Sequence, residues 1–213
     1  MAGRRVASGG DAESDYRPPD PTADRRMARG SRTRSFLLDA TIDLIEGGNP
    51  NPGARQVAAH AGVSDRLIFH HFDNLDHLFT MAVERKASQF SALTTVIPAR
   101  GPVDVRIRVI ARQRRRLFEA VGPVFRASYA RLPATAALTK VLTDQRRLLR
   151  HQLEVILRPE IAACGAEAPE ALETLHVVTG WPCWSSLRFE SGHSATQAER
   201  ITVFTVGRVL LLS

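Results

Sequence analysis

A short phrase centred on Gly62 most constrains how this chain can fold. Val57, Ala58 and Ala61 recur at a spacing that places them on one face of a short helix. Gly62 can adopt the positive φ that an abrupt helix end requires, and Ser64 follows as a candidate N-cap for a second helix. The phrase therefore predicts a helix, a tight turn and another helix.

The second helix of this phrase is predicted to have a buried side and an exposed side. Leu67, Ile68 and Phe72 fall together on one side. The opposite side carries Asp65, Arg66, Phe69 and His70. A helix that projects such a set outward has the geometry of the helix that enters the DNA major groove in a helix-turn-helix. Two helices that meet at a glycine also occur in many all-helical proteins. The flanking sequence therefore has to distinguish a DNA-binding helix-turn-helix from an ordinary helix pair.

Amphipathic helices are predicted on both sides of the phrase. Apolar residues recur at helical spacing before it (Phe36, Leu37, Ala40, Leu44, Ile45) and after it (Leu75, Leu78, Phe79, Ala82, Val83). In this setting residues 32–85, and most specifically 61–72, resemble the DNA-binding domain of TetR-type transcriptional regulators. Beyond residue 85 the chain matches that family only in length and helical character.

The resemblance implies an all-α fold with an N-terminal three-helix helix-turn-helix domain and a larger helical domain for ligand binding and dimerisation. We expect a disordered tail with a basic end at 1–30, a DNA-binding domain at 31–85 and a regulatory domain at 86–213. The first helix of the DNA-binding domain is expected to start at about Arg32. The implied function is a ligand-responsive regulator, a repressor in most members of the family. It would bind palindromic operator DNA as a homodimer through the recognition helix, residues 64–71. The implied partners are double-stranded DNA and a small-molecule effector.

Arg66 is the first candidate for reading DNA bases, because a guanidinium at the start of the recognition helix can form two hydrogen bonds with guanine. Arg55 is the next candidate, at a position where the family often contacts a base or phosphate. The N-terminal arginines form an arm that either contacts DNA or remains a solvated tail. The predicted DNA-binding set is Arg32, Arg34, Arg55, Ser64, Asp65, Arg66, Leu67, Phe69, His70 and His71.

Three positions depart from the family pattern and weaken the expected DNA contact. Asp65 stands where lysine is frequent, Phe69 where tyrosine is usual, and Leu75 where another lysine is common. A helical protein-interaction module without DNA binding therefore remains an alternative. A small helical enzyme is a further alternative, although the sequence contains no nucleophile elbow, phosphate-binding glycine loop or zinc-protease motif.

The regulatory part is predicted to be helical throughout. A break is expected at Gly122-Pro123, and a face of arginines on the helix before it is expected to be solvated. Two strongly apolar helices, 169–190 and 195–212, are expected to close the chain. They present more apolar surface than a small domain covers, which favours a four-helix dimer interface over packing within one chain.

The effector pocket implied by the resemblance would lie among these central helices. Pro182 is expected to kink its helix and to open space there. The candidate lining residues are Phe118, Phe125, Tyr129, Leu149, Leu153, Trp181 and Trp184, each of which could equally be part of an ordinary core.

Composition sets limits on partners and location. The formal charge of +7 favours an anionic partner. Cys164 and Cys183 form no metal-binding or disulfide pattern, and the adjacent His70 and His71 point in different directions, so we expect neither a metal site nor a cofactor. The sequence shows no signal peptide and no membrane-spanning run, which predicts a cytoplasmic protein.

Overall fold

The computed structural model describes residues 21–93, 99–131 and 135–211, which are helical and contain no strand. The α-helices are α1 (Pro21–Glu46), α2 (Ala54–Ala61), α3 (Asp65–His71), α4 (Leu75–Leu93), α5 (Val103–Ala130), α6 (Ala136–Ile156), α7 (Arg158–Ala163), α8 (Ala168–Val178), α9 (Trp181–Ser185) and α10 (Ala195–Leu211). A 3₁₀ turn (Gly165–Glu167) precedes α8, and a π-helical turn (Ser186–Glu190) follows α9. The predicted all-α fold is therefore confirmed.

Helices α1 to α4 share one apolar core, as their spacing predicts. Leu37 from α1, Val57 from α2, Ile68 from α3 and Leu78 from α4 are almost completely buried together. Phe72 closes this core at the end of α3. Because each helix contributes one apolar stripe, the opposite faces of α2 and α3 remain available to solvent.

Helix α1 begins at Pro21, well before the predicted start at Arg32. The expectation of a disordered segment up to residue 30 is therefore wrong for residues 21–30, which form the first turns of α1. Proline is well suited to the first turn of a helix, and the alanines and arginines that follow are good helix formers. Residues 1–20 of the predicted tail lie outside the described residues.

Helix α5 is continuous through Pro123, so the predicted break at Gly122-Pro123 is wrong. A proline removes one backbone hydrogen bond of a helix, but packing can retain the helix on both sides. Here Val121 and Val124 are buried, and the space beside Gly122 is occupied by the Trp181 ring, which lies 3.5 Å from where a Cβ would be. The helix is held by the neighbours that pack on it.

The arginine face predicted for α5 is not wholly solvated. Arg108, Arg112 and Arg116 are exposed, as expected, but Arg106 is only 6% exposed. Arg106 forms a salt bridge with Glu160 of α7 and donates to the Ile156 carbonyl at 2.5 Å. The prediction is therefore wrong for Arg106, because α6 and α7 cover that part of the face.

The segment predicted as one helix from 169 to 190 is interrupted before its proline. Helix α8 ends at Val178, Gly180 is extended (φ −84°, ψ 169°), and α9 starts at Trp181. Pro182 lies in the first turn of α9, where its missing N–H costs no helical hydrogen bond. The predicted kink is thus a complete break, which turns Trp181 toward α5.

None of the described helices is long and apolar enough to cross a membrane.

Candidate DNA-binding surface and effector cavity

The turn between α2 and α3 has the geometry that the sequence predicts. Gly62 has φ 68° and ψ 31°, in the left-handed region that favours glycine. The Val63 N–H donates to the Ala58 carbonyl at 2.9 Å, which ends α2 as a glycine-capped helix. Ser64 lies at the N-cap position of α3, but its side chain makes no capping hydrogen bond. Its hydroxyl is exposed at the start of the helix.

The outer face of α3 is formed by exposed side chains, as predicted. Asp65, Arg66 and His70 are exposed, and Phe69 is 57% exposed although it is aromatic. Leu67 is half-buried at the edge of this face. The Asp65 carboxylate accepts from the Arg66 backbone N–H at 2.8 Å. This hydrogen bond involves the backbone of Arg66 and not its guanidinium.

Helix α2 presents Arg55 beside this face, and Arg55 is exposed. Gly53 is the N-cap residue of α2. Gln56 supplies the capping contact, since its Oε1 accepts from the Gly53 N–H at 2.9 Å. Asn51 accepts from Arg131 of α5.

Arg32 and Arg34 of α1 have different environments. Arg32 is exposed, whereas Arg34 is half-buried and donates from Nη1 to the His71 carbonyl at 2.8 Å. The Arg34 guanidinium also lies 4.5 Å from the centroid of the Phe72 ring. Arg34 thus attaches α1 to the end of α3. Burial, and then the charges of His70 and Arg34, lower the pKa of His71, so His71 is neutral near pH 7.

A cavity of about 160 Å³ lies between α5, α6, α8 and α9. Five of the candidate residues line it, which are Phe118, Phe125, Tyr129, Leu149 and Trp181. The structure places two others outside the cavity. Leu153 is fully buried among Ile107 and its neighbours, and Trp184 packs behind Phe118.

Several cavity residues were not predicted from the sequence, and these are Leu142, Gln145, Arg146, His176, Val177, Gly180 and Pro182. Polar residues such as Gln145 and Arg146 occupy positions on α6 that read as a solvated face. The break at Gly180 directs α8 and α9 so that this face meets them. Gly180-Trp181-Pro182 is typical of a helix end followed by a new helix start, and this pattern is the signal that could have predicted these lining residues.

Arg131 connects the end of α5 to the first four helices. Its guanidinium lies 3.8 Å from the centroid of the Phe79 ring and 3.4 Å from an Asp76 carboxylate oxygen, both on α4. It also donates to the Asn51 side chain in the loop between α1 and α2. Tyr129, two residues earlier in the chain, lines the cavity. One short stretch of α5 therefore contacts both the cavity and the helix-turn-helix unit.

Comparison with known proteins agrees with this architecture. Residues 37–81 match the family model described as bacterial regulatory proteins, tetR family. A comparison with curated protein sequences gives no match.

Solved structures of similar fold cover nearly the whole chain. A tetR-family transcriptional regulator from Streptomyces coelicolor is 17% identical, with a TM-score of 0.70, over 85% of this chain and 82% of that one. A transcriptional regulator from Rhodococcus sp. Rha1 is 19% identical, with a TM-score of 0.61, over 85% of this chain and 96% of that one. The multidrug binding protein EbrR complexed with ethidium is 18% identical, with a TM-score of 0.53, over 81% of this chain and 98% of that one. Residues 37–81 thus match the tetR family of bacterial regulatory proteins, and the described part of the chain has the fold of solved tetR-family regulators.

Proposed function

We propose that this chain is a TetR-type regulator that binds palindromic DNA as a homodimer, with α3 of each subunit in a major groove, and that a small molecule in the cavity controls that binding. The observation that carries the proposal is the exposed outer face of α3, with Arg66 at its start, behind a glycine turn of the required geometry. A helix presented in this way fits the width of the major groove.

The residues of this face suggest separate roles in recognition. Arg66 would form two hydrogen bonds with a guanine, and Asp65 would accept from a cytosine amino group. The exposed Phe69, and Leu67, which is half-buried at the edge of the face, would each contact a thymine methyl group. His70 would meet the phosphate backbone, to which an imidazole N–H can donate.

Phosphate contacts would come from residues that flank α3. Arg55 and Arg32 are exposed cations on α2 and α1, and the Ser64 hydroxyl lies at the start of α3. Arg34 and His71 would act mainly by holding α1 against the end of α3, because the Arg34 guanidinium is engaged with the His71 carbonyl. These contacts would fix the orientation of the recognition helix.

The last helix supplies surface for a second subunit. Phe204 and Leu211 on α10 are 63% and 77% exposed, and their spacing of seven residues places them on the same face. Exposed apolar stripes of this kind are typical of subunit interfaces. A two-fold axis through α8 and α10 would pair two recognition helices, which suits a palindromic operator.

An effector role for the cavity is supported by its position. EbrR is named as a multidrug binding protein and has been solved with ethidium and with imidazole. In this chain the cavity adjoins Tyr129, and Arg131 joins the same end of α5 to Asp76 and Phe79. A ligand that shifts this end of α5 would therefore shift the helix-turn-helix unit.

Selection of bound fragments from random DNA, followed by gel-shift titration, tests the proposal. We expect a palindromic consensus, and we expect Arg66→Ala to weaken binding by about 1–3 kcal/mol for each half-site. Arg116→Ala, which removes an exposed arginine of α5, is the matched control and should leave the affinity unchanged. A chain that selects no consensus, or that tolerates Arg66→Ala, would contradict the proposal.

One observation favours the protein-interaction alternative. The aromatic ring of Phe69 is exposed, and Asp65 and Leu75 stand nearby in the chain where lysines are common in the family. Salt dependence separates the two functions. Phosphate contacts make the affinity for DNA fall steeply as salt rises. Absence of DNA binding at low salt would leave the interaction module as the better interpretation.

A further inference from the structure

The cavity has one aromatic wall. The Phe125 and Trp181 rings are stacked with centroids 5.4 Å apart, and Phe118 meets Trp181 edge-on at 5.7 Å. These three rings line the cavity and belong to α5 and α9. A planar aromatic ligand would gain both apolar burial and favourable ring contacts against such a wall.

Part of the remaining wall is polar and carries a positive charge. Gln145, Arg146 and His176 line it, together with Tyr129. Arg146 forms no salt bridge with any residue in the described part of the chain. The Gln145 Oε1 atom is buried and has no hydrogen-bond partner among those residues either. Both side chains are therefore available to a bound molecule.

A second arginine adds positive charge directly behind this wall. Arg114 is only 2% exposed, and its hydrogen bonds go to uncharged oxygens, namely Gln113 Oε1, Gln152 Oε1 and the Leu149 carbonyl. Burial lowers the pKa of Arg114 to about 9, so the guanidinium is still a cation near pH 7. A buried cation without a carboxylate partner produces a field that little solvent screens.

No acidic residue offsets this charge at the cavity. None of the described residues that line it is an aspartate or a glutamate. Glu173, whose charge acts on His176, forms a salt bridge with Arg150 at 3.2 Å on the outer side of α6. His176 is neutral near pH 7, because burial is the main cause that lowers its pKa, and a neutral imidazole can still donate one hydrogen bond.

We propose that the effector class of this cavity is a small aromatic anion, whose ring lies against Phe125 and Trp181 and whose carboxylate faces Arg146. The inference rests on the proposed function only in that the ligand is called an effector, because the charge and shape of the cavity do not depend on DNA binding. A guanidinium binds a carboxylate with two parallel hydrogen bonds, and the Gln145 amide can donate to the same group once it rotates.

The volume of the cavity limits the ligand to about one ring. Apolar cavities of about 150 Å³ accommodate benzene. The cavity here, at about 160 Å³, matches a benzene ring and a small substituent. Val177 and Pro182 are exposed beside it, so ligands with a longer substituent could extend outward between them.

Three compounds of nearly the same shape test the charge preference. Benzoate, benzamide and benzamidine carry charges of −1, 0 and +1 on one planar scaffold. Their binding to the full chain is measured from the fluorescence of the tryptophans, since Trp181 forms part of the cavity. We expect benzoate to bind about tenfold more tightly than benzamide, as one charged hydrogen-bonded contact would provide, and benzamidine to bind most weakly.

The variants distinguish Arg146 from general surface charge. Arg146→Gln should abolish the preference for benzoate and leave benzamide binding unchanged. Arg147→Gln is the matched control, because Arg147 is the next residue, is 77% exposed and pairs with Asp144. It should leave the series unchanged. Arg146→Lys should retain part of the preference.

The inference is overturned if benzamidine binds as well as benzoate, if Arg146→Gln keeps the preference, or if none of the three compounds binds. Gel-shift titration of the same samples separates this failure from that of the proposed function. A protein that binds its operator but shows none of the expected preferences retains the DNA-binding proposal and loses this one. A protein that prefers benzoate and binds no DNA retains the ligand class alone.

Discussion

Arginine is used in opposite ways in α3 and in α5. On α3, Arg66 is exposed, beside a backbone turn that holds the helix away from the body of the protein. On α5, Arg106 and Arg114 are almost completely buried, one paired with Glu160 and the other bonded only to neutral oxygens. The helical period predicts which way a side chain points, but the elements that pack on that face decide whether its charge meets solvent or protein.

The difference follows from how many neighbours each helix has. Helix α3 packs mainly on α2, whereas α5 contacts α1, α4, α9 and α10. A helix enclosed on several sides has to bury part of its polar face, and its charges then need partners or acquire shifted pKa values. Pairs of matched substitutions test this difference between the two helices.

The largest difference is expected between two phenylalanines. Phe118→Ala removes a ring from the closed core of α5 and should lower the free energy of unfolding by about 3–5 kcal/mol. Phe69→Ala removes an exposed ring from α3 and should leave stability nearly unchanged while it weakens DNA binding. Urea unfolding and gel-shift titration measure the two effects. Equal losses of stability would show that α3 is also packed in solution.

A second pair compares a half-buried carboxylate on α7 with an exposed carboxylate on α5. Glu160→Gln leaves the cation of Arg106 buried without a charged partner, and we expect a loss of about 2 kcal/mol. Asp104→Asn removes the partner of Arg108, where both side chains are more than half exposed, and should not change stability measurably. Thermal unfolding of both variants provides the test. A silent Glu160→Gln would mean that water reaches Arg106.

The turn before α3 gives a smaller effect. Gly62→Ala places a Cβ at a φ of 68°, which should cost about 1–2 kcal/mol. Gly62→Asn is the matched control, because asparagine tolerates the left-handed region better than alanine does. Urea unfolding should rank the variants with glycine above asparagine and asparagine above alanine. Equal stability of the two variants would contradict the assigned turn geometry.

The smallest effect is expected from two histidines. His71 lies at the end of α3, and His176 lies on α8 at the cavity beside α5. Burial lowers the pKa of both His71 and His176 below the ordinary value of 6.5. As pH falls through 6.5, the unfolded chain takes up protons before the folded chain does, so stability should decline toward each folded pKa. His71→Asn and His176→Asn should each flatten this decline in urea unfolding between about pH 5 and pH 7. An unchanged slope in either variant would show that the corresponding imidazole is solvated.

Much of the fold is predictable from local patterns. The apolar period of α2, α3 and α4 predicts which faces are buried, and Gly62 predicts the turn, because these features depend on neighbours within a few residues. The continuity of α5 through Pro123 was not predictable in that way. It depends on the Trp181 ring, which is distant in sequence, and on the burial of Val121 and Val124 by neighbouring helices, which no local rule registers.

The candidate site shows the same division. The exposed face of α3 was predicted residue by residue, whereas Arg34 proved to be engaged with the His71 carbonyl. Aromatic residues of the cavity were predicted because large rings stand out in a helical stripe. Arg146 and His176 were not, since their place at the cavity depends on the packing of α8 against α6, which no local pattern records.

Pro123 has a mechanical consequence for the regulator. With no N–H at that position, α5 lacks one rung of its backbone ladder, and bending there is cheaper than elsewhere along the helix. The portion from this pivot to Arg131 extends about 12 Å, so a tilt of about 10° displaces its tip by about 2 Å. That end contacts Phe79 and the Asn51 loop, so a displacement of this size would be passed directly to the helices that carry α3.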